Sequence, residues 1–140
     1  MSRDVWAAIG ATVAVVIVAI LGFRVLGGPA NQRLVQADLQ KLRTLLELAR
    51  QINMKWTTGN KTFPANLDHF PAVAKQDPIS GTPFVYRPKS SEEYELCATF
   101  ATDNRDFPKG NTPDPWVHPK GDYCFPFEAS QVVPFVPYNY

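Results

Sequence analysis

Residues 37–56, ADLQKLRTLLELARQINMKW, decide how the rest of the chain must fold. Leu39, Leu42, Leu46 and Ala49 recur at helical spacing, Val35 begins the same row one turn earlier, and Leu45, Leu48 and Ile52 widen it. Arg33, Asp38, Lys41, Arg43 and Glu47 take most of the remaining surface. A stripe this broad and only about three heptads long is the face of a helix laid on a sheet, not the narrow seam of a coiled coil. Thr58-Gly59-Asn60 closes the helix, with the glycine expected as its C-terminal cap.

The sheet must come from the second half, where all of the 13 prolines except Pro29 follow residue 60. Each removes a backbone donor and fixes one dihedral, which excludes a compact helical bundle. In the loop FPANLDHFPAVAKQDPISG, residues 63–81, Phe63, Leu67, Phe70 and Val73 are expected to reach the core, and Asp77-Pro78-Ile79-Ser80-Gly81 has the composition of a turn. Strands are expected at 82–86, 94–101 and 122–127, the second with Tyr94, Leu96 and Ala98 on one face and Glu95, Cys97 and Thr99 on the other. A long polar loop, 103–120, separates the last two. The class is α+β: an amphipathic helix on a small antiparallel β-sheet.

Upstream, Val5 to Phe23, VWAAIGATVAVVIVAILGF, carries no charged residue. At the helical rise it is just long enough to cross a hydrocarbon core of about 30 Å. The expected organisation is a short tail over 1–4, a transmembrane helix over 5–26, a hinge at 27–29, an exported domain over 30–127 and an extended apolar tail over 128–140. Trp6 suits the headgroup layer and Arg24 can snorkel at the far end. The full-length apolar run, with no small-x-small site before a polar start, reads as a retained anchor rather than a cleaved signal peptide.

The last ten residues, QVVPFVPYNY, are uncharged. Pro134 and Pro137 favour an extended backbone with little entropy to lose, and Val132, Val133, Phe135, Val136, Tyr138 and Tyr140 offer apolar contact. Together with Trp6 they form the expected partner-docking set. The competing reading is a strap folded across the chain's own domain, because small domains need every apolar contact.

A formal net charge of +1 without a basic stripe argues against a nucleic-acid surface. The two cysteines, Cys97 and Cys124, form no CxxC, and in a small exported domain they read as one disulfide. Orientation draws on opposed signals. Arg24, Arg33, Lys41 and Arg43 after the span would by count keep the domain cytoplasmic, whereas the cysteines favour export with a cytoplasmic N-terminus.

Sites for chemistry are few. His118 lies six residues before Cys124, but a disulfide removes the nucleophile that a Cys-His pair would need. Asp103 and Asp106 are the calcium candidates, yet Arg105 stands between them and no loop glycine follows, so no metal is expected. Glu92, Glu93 and Glu95 need only be the wet side of a strand. Neither a phosphate-binding glycine loop nor a nucleophile elbow occurs. The expectation is a protein with no cofactor, no small-molecule substrate and no catalytic role.

The order of local words resembles the type IV pilin and pseudopilin family over roughly residues 5–101. An apolar segment runs into the helix of 37–56; Gly59, Phe63-Pro64 and Leu67 follow; then come DPISGTPFVYRP and YELCATF. The later WVHPKGDYCF is similar to a cysteine-bearing final strand in some pilin-like membrane proteins. The resemblance implies a pilin-like scaffold, bacterial inner-membrane anchoring and a periplasmic domain. Pilins also carry a glutamate five residues into the mature chain. Neither Gly10, followed by ATVAVV, nor Gly22, followed by FRVLGG, supplies one, which points to a fixed membrane subunit rather than a polymerising one.

Three functions are therefore expected in turn. The first is a non-catalytic accessory subunit of a larger membrane complex, respiratory or photosynthetic hosts being natural ones, whose partners are the lipid bilayer and other subunits. The second is a minor pseudopilin of a type IV pilus or type II secretion machine. The third is an anchored glycan- or peptide-binding module that presents Trp116, Tyr123 and Phe125.

Overall fold

Two helices lead the chain. In the computed structural model, which describes residues 3–26, 29–105 and 115–136, α1 spans Arg3–Leu26 and α2 spans Pro29–Thr58. Gly27 and Gly28 of the expected hinge lie outside the described residues. Helix α2 starts on Pro29, whose fixed φ suits a first helical turn and whose missing N–H would be unpaired there anyway. A single turn, α3, follows at Ala72–Lys75, then β1 at Val85–Pro88, β2 at Glu93–Phe100 and β3 at Gly121–Glu128. The chain divides into two compact units, 1–33 and 34–140.

In the second unit, the predicted stripe of α2 is buried: Leu39, Leu42, Leu45, Leu46, Leu48, Ala49, Ile52 and, one turn on, Trp56. Most of it shares one cluster with Tyr94, Leu96, Phe100 and Phe125 from the inner face of an antiparallel three-stranded sheet, ordered β1-β2-β3. Asp38 and Lys41 depart from expectation. The sequence assigns them to the solvent side, but both are buried, because each finds partners on other elements as described below.

The helix terminus also differs from its predicted chemistry. Left-handed φ is taken by Asn60 (59°) and Lys61 (57°), not by Gly59. Gly59 is needed for space instead: its N–H donates to Lys55 O at 2.8 Å, and a Cβ there would sit 2.7 Å from that oxygen. Beyond it, Phe63 and Leu67 lean on the core and Phe70 is buried. Val73 does not join them. It is 85% exposed, because α3 turns Ala74 inward in its place.

The first strand begins later than predicted, at Val85 rather than residue 82. Residues 76–84 are occupied by a closed turn. Asp77 N–H donates to Thr82 O and Phe84 N–H to Lys75 O, while Gly81, at φ 71°, supplies the left-handed step that glycine takes without strain.

Proline positions fix the ladder parity. Pro126 pairs with Glu95 and Pro88 with Tyr94. A proline has no N–H to give its neighbour, so each sits in a non-hydrogen-bonded pair with the missing donor aimed away from β2. Counting two residues along, Cys97↔Cys124 is also such a pair, the closely spaced kind. Its Cα atoms are 3.9 Å apart and a disulfide joins the two residues. The bond lies on the outer face of the sheet with Glu95 and Thr99, away from the aromatic inner face.

Candidate functional site

Among the described residues one helix is long and apolar enough to cross a membrane, over Asp4–Gly22. Its apolar side chains, Trp6 included, are exposed within the chain. A soluble helix would bury one face, so a surface apolar on all sides calls for lipid or another apolar partner.

The second feature is the segment after β3. Ala129 N–H donates to Glu92 O and Gln131 N–H to Glu128 O, which turns the chain back on itself. Asn53 Nδ2 then donates to Gln131 O at 3.1 Å, and the Trp116 indole N–H to Pro134 O at 3.1 Å. Between these pins Val133 (7% exposed) and Val136 (3%) enter the core, whereas Val132 (92%) and Phe135 (55%) face outward. The expected docking set therefore separates. Val133 and Val136 are core residues, in one apolar cluster with Trp116 and Phe125. Val132 and Phe135 are the described tail members of that set that stay exposed; Tyr138 and Tyr140 lie outside the described residues.

Asn53 ties this strap to the interior. Its Oδ1 accepts from the Tyr94 hydroxyl at 2.7 Å, so one side chain of α2 links β2 to the strap. Burial, and secondarily the neighbouring Tyr86, holds the Tyr94 phenol in its neutral, donating form. Among the described residues the buried hydroxyl of Tyr86 has no hydrogen-bond partner, and burial pushes its pKa up to about 12.

An ionic cluster that the sequence reading did not find lies across α2, the 77–81 turn and the end of β2. Lys41 Nζ forms ion pairs with Asp38 at 3.4 Å and Asp77 at 3.3 Å, and donates a hydrogen bond to Thr99 O at 2.9 Å. Asp38 accepts from Ala101 N–H and from the N–H and hydroxyl of Thr102. Asp77 accepts from Ile79 N–H and Ser80 Oγ. Burial alone would raise the Asp77 pKa, but these hydrogen bonds and the Lys41 charge outweigh it and hold the carboxyl below its ordinary value. Every polar group in the cluster is occupied by another, so it fixes the turn against the helix. The signal that could have revealed it was Asp38 and Lys41 at i, i+3 on the border of the apolar stripe.

The remaining candidates fall into place singly. Asp103 is held down to about 2, first by its side-chain hydrogen bonds from Arg105, which occupy both carboxylate oxygens. Asp106 lies outside the described residues. His118 is buried, stacked on Phe100 at 3.8 Å, with Nδ1 3.1 Å from Pro119 O. Asn104 clamps this stretch by donating to Trp116 O and accepting from His118 N–H. Trp116 and Phe125 are fully buried and in contact, not displayed as a glycan or peptide platform; packing against Phe127 and Val133 claims them first. Comparison with protein-family models, curated proteins and solved structures returns no match to this chain.

Proposed function

We propose that the chain is a non-catalytic accessory subunit of a larger membrane complex, anchored by α1 and bracing partner subunits with its domain and C-terminal strap. The observation that carries this reading is the alternation in the strap. A segment held at Gln131 and Pro134 keeps two side chains in the core and presents Val132 and Phe135 outward, apolar and already ordered, so little entropy remains to be lost on docking. The apolar surface of α1 supports the same reading, since it can meet both lipid and the helices of a host complex.

We place the domain on the exported side of a bacterial inner membrane, with the N-terminus cytoplasmic. The Cys97–Cys124 bond favours an oxidising compartment. The pilin-like scaffold belongs to the same proposal: an amphipathic helix, a DPISG turn and an antiparallel sheet follow one another as in that family. A processed minor pseudopilin is the second reading, favoured by that order alone.

The deciding experiment is gentle solubilisation of tagged full-length protein and identification of what co-purifies. The wild type should bring down membrane subunits. Val132→Glu, at a position 92% exposed, should release them while leaving the melting temperature unchanged. Unaltered co-purification would remove the strap from the interface. Intact mass separates the second reading, because loss of an N-terminal leader with methylation of the new terminus would favour a pseudopilin.

A further inference from the structure

The outer face of the sheet holds a second group of side chains with chemistry of its own. Cys97 and Cys124 oppose each other across β2 and β3, and Glu95, two residues back along β2, projects to the same side. One carboxylate oxygen of Glu95 and both sulfurs lie within 4.8 Å of one another. A cavity of about 320 Å³ reaches both cysteines, between the 77–82 turn and the side chains of Val85, Thr99 and Asp122. Among the described residues the Glu95 carboxylate pairs with Lys89 Nζ at 3.1 Å, in a solvent-accessible pair of the kind that contributes little.

We propose that reduction of this disulfide creates a binding site for a thiophilic divalent cation of the zinc type, with Cys97, Cys124 and Glu95 as protein ligands and the fourth position open to the cavity. The reductant is a dithiol. Its two S–H groups become a disulfide, the Cys97–Cys124 bond breaks, and each cysteine sulfur takes one proton. Cation binding then displaces both protons and leaves two thiolates and a carboxylate around the metal. Sulfur ligands select a soft or borderline metal over calcium or magnesium, and two sulfurs with one oxygen fit a tetrahedral ion that keeps one exchangeable position. The ion would join the same two strands that the disulfide joins, so β2 and β3 stay cross-linked in either redox state.

The test uses full-length protein in detergent, reduced by a water-soluble phosphine under inert gas and titrated with Co²⁺. One Co²⁺ per chain should bind, with thiolate-to-metal charge transfer and the visible bands of a tetrahedral ion, and equimolar Zn²⁺ should bleach both. Even a second-shell loss at a metal site costs about 10–100-fold in affinity, so Glu95→Gln, which removes a direct ligand, should weaken Co²⁺ at least that much. Near-UV circular dichroism follows folding in parallel. If the reduced chain loosens, the metal should restore the aromatic signal in the wild type and not in Glu95→Gln. Absence of a thiolate–cobalt band overturns the proposal, as does binding indifferent to Glu95, which is what two cysteines on an unfolded chain would give.

Discussion

Replacing Lys41 by methionine tests whether the ionic cluster holds the 77–81 turn to the helix. The ammonium is about nine-tenths buried, at 11% exposure, between carboxylates that are 3% and 11% exposed, and it also satisfies Thr99 O. Methionine nearly preserves the stem volume but leaves two buried carboxylates facing each other without the cation. Removing one partner of a buried pair costs about 3–5 kcal/mol. Asp38 and Asp77 keep their other hydrogen bonds, so the lower end, about 3 kcal/mol, is expected for Lys41→Met. Urea unfolding of the oxidised full-length protein in detergent at pH 7, followed by the fluorescence of buried Trp56 and Trp116, reads it directly. Adding Asp77→Asn should recover part of the loss, with a coupling of about 1–3 kcal/mol. The deficit should also shrink as pH falls through the carboxylate range, because a protonated Asp77 no longer needs the cation. A loss below about 1 kcal/mol, the size typical of exposed pairs, would refute the structural role argued for the cluster.

Three further outcomes follow from other parts of the domain. The disulfide closes a loop with a sequence separation of 27, so Cys97→Ser with Cys124→Ser should cost about 3–4 kcal/mol in the loop-entropy model, read as a lower urea midpoint. In the strap, Val133→Ala should destabilise by about 1–3 kcal/mol, whereas Val132→Ala, one residue away, should stay within about 0.5 kcal/mol; equal effects would contradict the alternation. Burial of His118 holds its pKa below the ordinary 6.5, against upward pulls from Pro119 O, Asp38 and Asp103, with Lys41 adding to the lowering. The unfolded chain then binds the extra proton first, so stability should be full above about pH 6.5 and fall as pH drops below it. His118→Phe should flatten that slope between pH 6.5 and 5, measured by melting temperature.

What the sequence revealed follows the range of the interactions involved. The apolar stripe of α2 and the alternation of β2 are periodic, so neighbouring residues report them, and both reappear in the structure. The DPISG turn was legible from composition, but not its anchoring, because Lys41 and Asp77 are far apart in sequence and meet only after folding. The same limit explains the tail. Its apolar character was plain, but which valines go inward depends on Asn53 and Trp116, whose reach a one-dimensional pattern does not contain. Val73 misled because an apolar residue between prolines looks like a core plug until the single turn of α3 sets its direction.

The two prolines that fix the ladder parity also bear on how this domain can be joined to others. Both edge strands carry one where an incoming strand would look for a donor, Pro88 on β1 and Pro126 on β3. Among the described residues, then, each margin of the sheet has a gap in the main-chain zipper that a neighbouring β-strand would need. A strand added at either margin would meet that gap and form one main-chain hydrogen bond fewer there.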